Sequence, residues 1–290
     1  MSDFRHVHES VRPILARPEA ERIAHLRMDR WIDYPLGDEI LARLERLLTT
    51  PPRVRMPCLL IYGDSGMGKT MVVKKFQRAH MPTYNKSRGM RDIEVLVVQM
   101  PATPSQARFY GQILLAIVSP YRPGDRLSNI EPLALSLLKE IKPKMIVVDE
   151  VHHLLAGSAR EQRAALNLLK FLANELQCSV VVLGTRDAQA AIHVDAQIAS
   201  RFKPFELPAW TDEESYWRFL ASFERLLPLK EPSRLADRTP SRRILDHSGG
   251  ITGEITELLV SAAERALRIG QERITTDLID LAASSDRKSS

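Results

Sequence analysis

The sequence predicts a doubly wound α/β sheet of parallel strands followed by a smaller helical domain. Three observations predict it. The runs CLLIYG (58–63), EVLVVQM (94–100), KMIVVDE (144–150) and CSVVVLG (178–184) are rich in Val, Ile and Leu and do not alternate with polar residues. Strands covered on both faces have that composition. Helical patterns lie between these runs, the alternation that parallel strands need for their crossovers. After Trp210 the strand patterns stop and only helical ones continue.

Taken in order, residues 1–50 read as mainly helical. GDSGMGKT (63–70) closes the first strand and opens the helix KTMVVKKFQRAH. NKSRGMRD (85–92) is a basic, glycine-containing loop before the second strand, and ARFYGQILLAIV is the helix after it. QRAALNLLKFLANEL precedes the fourth strand, with Ala165, Leu169, Leu172 and Leu176 along one helical face. A fifth short strand is expected in KPFELPA (203–209). TDEESYWRFLASFERLLP opens with Thr211 and Glu214 in a capping-box-like pattern and is helical to about Leu227. SRRILDHSGG, TGEITELLVSAAERALRIG and TTDLIDLAAS follow. The expected division is a helical segment at 1–50, the α/β core at 51–210, a helical domain at 211–285 and a frayed tail at 286–290.

Bulk composition narrows the classes. A chain of 290 residues accommodates one large α/β domain and a smaller one. Its 44% apolar and 27% charged content is ordinary for a globular protein and argues against a disordered one, and only 6% aromatics argues against a stacking platform for single strands. The formal net charge of +5 leans toward an acidic partner. The two cysteines, Cys58 and Cys178, each open an apolar run and make no disulfide framework. No window approaches the ~18 apolar residues of a membrane span. The N-terminal MSDFRHVHESVRP lacks a signal peptide's apolar core, so a cytoplasmic protein without membrane contact is expected.

The stretch G-x-x-x-x-G-K-T from Gly63 to Thr70 follows a strand and opens a helix, the context that a phosphate-cradling loop requires. Gly63, Gly66 and Gly68 let the backbone wrap closely around phosphates, and Asp64, Ser65 and Met67 complete the loop. Its N–H groups and the helix N-terminus face the anion. Lys69 neutralises the outer phosphates, and Thr70 places a hydroxyl on Mg²⁺. MIVVDE adds Asp149 and Glu150 at the C-terminal end of a buried strand, where ligands sit in such sheets. Asp149 is the expected Mg²⁺ partner, and Glu150 the group that orients the attacking water. His152 and His153 follow at once, but DEVHHLL is not H-E-x-x-H. They read as ordinary helix-start residues, at most in a shell outside the nucleotide.

The whole chain resembles the TniB family of transposon-encoded AAA+ ATPases, from about residue 20 to 285. The resemblance is carried by RMDRWIDYP, GDSGMGKT, DEVHHLLAGSAREQRAALNLLKFLANEL, GTRDAQAAIHVDAQIASRF and SGGITGEITELL. The block from Asp149 to Phe202 is its most specific part. The resemblance implies an AAA+ P-loop fold with a C-terminal helical lid and slow, regulatory ATP hydrolysis. It makes Thr185 the sensor of the γ-phosphate and Arg201 a finger reaching in trans into a neighbouring subunit's nucleotide. That in turn implies a homo-oligomer, as a ring or a helical filament. Family members are similar to TnsC and Mu B. They assemble on target double-stranded DNA with ATP and recruit and activate a DDE transposase of the TniA type, often with a TniQ-type partner.

One position departs from the AAA+ pattern. The lid turn GEIT (253–256) has Thr256 where an arginine for the γ-phosphate is expected, which suits a slow switch better than a fast motor. Arg242, Arg243 and Arg265 are the candidate substitutes. Tyr34 and Pro35 are candidates for a wall beside adenine. For DNA, Lys86, Arg88 and Arg91 in the basic loop come first, and Thr103, Ser105 and Arg108 in PATPSQARFYG second; such contacts are sequence-tolerant and salt-sensitive. A helicase-loader-like or remodelling ATPase shares every nucleotide motif and is the alternative. A nucleotide switch binding only protein is a third reading.

Overall fold

The computed structural model describes residues 4–103, 105–122, 124–193 and 199–286. Contacts divide the chain into two compact units. One comprises Glu39–Ser65 and Lys69–Leu207; the other takes the chain up to Asp38, the tripeptide Gly66–Gly68, and the chain from Pro208 onward. The boundary near the start thus falls at Asp38, within helix α2 (Pro35–Leu48), rather than at residue 50.

The larger unit holds a five-stranded parallel sheet in the order β4–β5–β6–β1–β7. The strands are β1 (Cys58–Tyr62), β4 (Val95–Gln99), β5 (Met145–Asp149), β6 (Ser179–Gly184) and β7 (Phe202–Glu206). All four pairings within it are parallel, with Leu60 opposite both Val182 and Pro204. Pro204 cannot donate to a ladder, and its strand is at the sheet edge, where that is tolerated. Val180, Val181, Val182 and Leu183 of β6 are wholly buried, as a strand covered on both faces must be.

Helices α3 (Lys69–Ala79), α4 (Gln106–Ala116), α5 (Leu127–Ile141), α6 (Ala159–Glu175) and α7 (Arg186–His193) complete this unit. Helix α6 starts at a full capping box, in which Ser158 Oγ accepts from the Glu161 N–H and Glu161 Oε2 accepts from the Ser158 N–H at 2.8 Å. Its buried face carries Leu166, Leu169 and Leu172. Besides α7, two elements escape the sequence reading. The stretch read as a basic loop is a short hairpin of β2 (Thr83–Asn85) and β3 (Met90–Asp92). Helix α5 carries Pro132 inside it, which breaks the pattern expected of a helix.

The other unit is helical: α1 (Glu19–Leu26), α8 (Glu214–Glu224), α9 (Arg238–Ser248), α10 (Thr252–Arg268) and α11 (Thr276–Asp286). Thr211 does not cap α8; Glu213 is its N-cap residue, and no side chain closes that end. An aromatic cluster organises the unit, with Trp210 stacked on Phe219 at 4.8 Å between centroids and Tyr34 edge-on to both. Arg22 is buried, donating to the Pro228 carbonyl and, through Nη1, to Glu272 at 2.8 Å. No helix among the described residues is long and apolar enough to cross a membrane.

Candidate nucleotide site

The C-terminal ends of adjacent strands bring the sequence-predicted groups together. Gly63 follows β1 with its N–H on the Gly184 carbonyl, and Leu207 N–H donates to Tyr62 O at 2.7 Å. A Cβ on Gly63 would lie 2.3 Å from the Leu207 carbonyl oxygen, so no larger residue fits. Gly66 and Gly68 have φ of +76° and +84°, the left-handed conformations that bend the loop back before α3. The loop's Asp64 and Ser65 remain at least partly exposed, while Met67 is buried.

Lys69 extends along the inside of the loop. Its Nζ donates to the carbonyls of Gly63 at 2.9 Å and Asp64 at 2.7 Å. Burial pushes its ammonium below the ordinary lysine range, and the carboxylates of Glu150, Asp149 and Asp64 pull it back up. Those carbonyls hold the charge until phosphate oxygens compete for it.

Thr70 Oγ1 donates to Asp149 Oδ2 at 2.7 Å, and the other carboxylate oxygen accepts the Glu150 N–H at 2.8 Å. The hydroxyl and carboxylate are hard oxygen donors side by side, a set that fits Mg²⁺. Glu150 has φ +58°, a left-handed conformation that a β-carbon disfavours. It turns the chain out of β5 into a 3-10 turn, Val151–Ala156. Thr185 sits half-buried immediately after β6.

Sequence reading missed one interaction here. Arg186, which opens α7, donates from Nε to Asp64 Oδ1 at 3.1 Å and pairs through Nη1 with Glu206 Oε1 at 2.5 Å. Tyr62 Oη also donates to Glu206, at 3.2 Å. The residues are plain in the sequence, but their convergence depends on β6, β1 and β7 being neighbours, which only the sheet order shows.

Other predicted residues make their contacts elsewhere. Arg201 precedes β7 and donates to Asn174 Oδ1 at 2.6 Å. Residues 195–198, the DAQI of the family-specific block ahead of it, lie outside the described residues, as do the tail residues 287–290. Tyr34 is buried in the aromatic cluster of the helical unit, and burial, with Asp38 second, pushes its phenol up to about 12. In the same unit the Gly253 N–H, at the start of α10, donates to the Gly66 carbonyl at 2.8 Å. Thr256 bonds back to its own helix at the Thr252 carbonyl, and Arg243 is paired with Asp280.

Lys86 is exposed in the turn of the β2–β3 hairpin, and Arg91 is exposed on β3 opposite Tyr84. Arg88 is engaged internally, with Asp92 at 3.0 Å and with the Glu140 carbonyl. Thr103 is exposed. Ser105 caps α4 by accepting the Arg108 N–H, and Arg108 is exposed.

A parallel sheet in this order, a glycine loop opening α3, and paired carboxylates at the end of β5 define a P-loop ATPase of the AAA+ class. A family model described as "Bacterial TniB protein" matches residues 22–212, and the chain belongs to that family. Among solved structures it is similar to the ORC2 protein of Aeropyrum pernix in ADPNP–ADP complexes, at 17% identity and TM-score 0.64, over 92% of this chain and 72% of that one. The ORC1 protein of Aeropyrum pernix in complex with DNA matches at 18% identity and TM-score 0.62, over 91% and 69%. The Walker-type ATPase PABY2304 of Pyrococcus abyssi matches at 14% and 0.60, over 91% and 76%. At these identities the likeness is one of fold. No protein of curated function matches the sequence.

Proposed function

We propose that this AAA+ ATPase is an ATP-gated regulator of transposition. It assembles on target double-stranded DNA, then recruits and activates a DDE transposase of the TniA type, with a TniQ-type protein as a further partner. The observation that carries this reading is the TniB family match over residues 22–212, joined to a complete P-loop. The net charge of +5 and the basic β2–β3 hairpin support a DNA partner, as does the DNA complex of the similar ORC1 protein.

Gly63–Thr70 cradle the ATP phosphates. Thr70 and Asp149 hold Mg²⁺, which when bound offsets the charge of the phosphate oxygens. Glu150 orients the attacking water, and Thr185 reads the γ-phosphate. Residues 211–285 act as the lid. Arg201 completes the site of a neighbouring subunit in a ring or filament, which makes hydrolysis contingent on assembly. Lys86, Arg91, Thr103 and Arg108 track the phosphate backbone, with Arg88 shaping the hairpin that presents the first two.

Sedimentation with a double-stranded fragment tests the proposal, using ATP, ADP or no nucleotide at two salt concentrations. ATP-dependent assemblies that weaken as salt rises are expected. Sedimentation independent of DNA in every nucleotide state would overturn the target-marking role. Rapid turnover with strand separation would point instead to a loader or remodeller.

A further inference from the structure

The turn after β5 carries two histidines that ATP hydrolysis does not account for, beside Glu150. His152 Nε2 lies 3.1 Å from Glu150 Oε2. His153 Nδ1 lies 2.9 Å from the Met100 carbonyl oxygen. A carbonyl only accepts, so that nitrogen carries the proton and Nε2 keeps its lone pair. The two rings are 4.8 Å apart between centroids, although adjacent positions of a 3-10 turn diverge by about 120°. The left-handed Glu150 sets the start of the turn so that its carboxylate and both imidazoles face one another. One ligand atom from each of the three lies within 4.8 Å of the others, and all three residues are half-buried.

We propose that Glu150, His152 and His153 form a binding site for a divalent transition cation of the zinc class, and that its occupancy draws Glu150 away from the attacking water. Four-coordinate zinc with bonds of about 2.0–2.2 Å places its ligand atoms roughly 3.3–3.6 Å apart. Side-chain tips alone need move, by about 1 Å. Two imidazoles and one carboxylate leave a fourth position for water. The Met100 carbonyl supplies the outer hydrogen bond that fixes the tautomer of a ligating histidine. Met100 is itself tied to this strand end, its N–H donating to the Asp149 carbonyl at 2.8 Å.

Ligand chemistry separates this site from the nucleotide's own cation. Mg²⁺ prefers the oxygens of Thr70 and Asp149, whereas imidazole nitrogens favour zinc. Thiols do not compete: Cys58 and Cys178 are buried, and burial pushes both above the ordinary thiol range. Among the described residues no other three His, Cys, Asp or Glu side chains are so gathered. Binding follows from the geometry alone; the loss of hydrolysis rests on the role proposed for Glu150.

The full chain, stripped with chelator and held in excess Mg²⁺, is titrated with Co²⁺ as a visible probe, and Zn²⁺ is then competed against a chromophoric chelator. One cobalt per chain, displaced by zinc, is expected. His152→Ala and His153→Ala should each weaken zinc by at least about tenfold while melting and binding Mg-ATP as the parent does. Glu150→Gln keeps both rings and should weaken zinc as well. In Mg-ATP, rising free zinc should stop turnover by the parent but not by the histidine variants, each scaled to its own zinc-free rate. Unchanged zinc affinity in all three variants would overturn the site and leave His152 as a hydrogen-bond partner of Glu150 only. Histidine-dependent binding with undisturbed turnover at saturation would overturn the withdrawal of Glu150 and count against the role given to it.

Discussion

The Thr70 hydroxyl meets Asp149 Oδ2 at 2.7 Å across 79 residues of sequence. That bond joins the first turn of α3 to the end of β5, so the two donors expected to hold Mg²⁺ are pre-assembled. Asp149→Asn removes the anionic half while keeping the shape. Nucleotide affinity measured with Mg²⁺ and with EDTA should differ by at least about tenfold for the parent and by much less for the variant. An equal Mg²⁺ effect in both would remove Asp149 from the cation site.

Glu150→Gln should lower ATP turnover by roughly 10²–10⁴-fold while leaving nucleotide affinity near the parent's. The amide keeps the left-handed backbone at φ +58° and loses only the ability to polarise water. Single-turnover hydrolysis beside a nucleotide titration separates the two effects. The variant should also remain loaded on DNA with ATP; faster release than the parent would contradict the role.

Much of this site is legible in the chain before folding. Strand, glycine loop and lysine are contiguous, so Gly63–Thr70 declares itself, and MIVVDE places its carboxylates by the length of one buried strand. The Arg186 bridge between Asp64 and Glu206 was not legible, because it depends on which strands are neighbours, and sequence order does not reveal that. The β2–β3 hairpin escaped for a local reason. Its strands are three residues each with none buried, too short for a period-2 pattern to register. Helix α5 was hidden by Pro132.

If Arg201 acts on a neighbour's nucleotide as proposed, Arg201→Ala should bind ATP yet hydrolyse it poorly. Lys69→Ala should fail to bind nucleotide at all. On that proposal, mixing the two inactive variants should restore part of the turnover, the intact Arg201 of one subunit serving the intact loop of another. Full activity of Arg201→Ala alone would remove it as the finger, and no recovery on mixing would argue against sites shared between subunits.

Two glycines should respond differently to alanine. Gly63→Ala forces a Cβ to 2.3 Å from the Leu207 carbonyl, and either β1 or β7 must shift. A loss of about 2–3 kcal/mol is expected. Gly249 is the left-handed C-cap residue of α9 at φ +58°, and a Cβ there would meet nothing within 4 Å. At that position the cost is conformational only, about 1 kcal/mol. Urea unfolding followed by circular dichroism tests both; equal losses would show that the contact with Leu207 relaxes freely.

The ion pair of Arg22 with Glu272 should set the acid limit of the helical unit. Arg22 is 6% exposed at its side chain and Glu272 20%. The hydrogen bond from Arg22 holds the Glu272 carboxyl below its ordinary value, against a smaller opposing effect of burial. A depressed carboxylate pKa stabilises the fold above the unfolded value of about 4.3 and loses that contribution as pH falls through the folded value. Trp31, Trp210 and Trp217 all belong to this unit and are the chain's 3 tryptophans, so their fluorescence reports its unfolding. Parent stability should therefore fall more steeply below about pH 5 than that of Glu272→Gln, with parallel behaviour above about pH 6. Arg22→Met should cost about 3 kcal/mol near neutrality, because it leaves Glu272 without its main donor. Adding Glu272→Leu to Arg22→Met should restore part of that loss, since the stranded charge is then gone. Identical acid slopes for the parent and Glu272→Gln would show that the pair contributes nothing to the pH dependence.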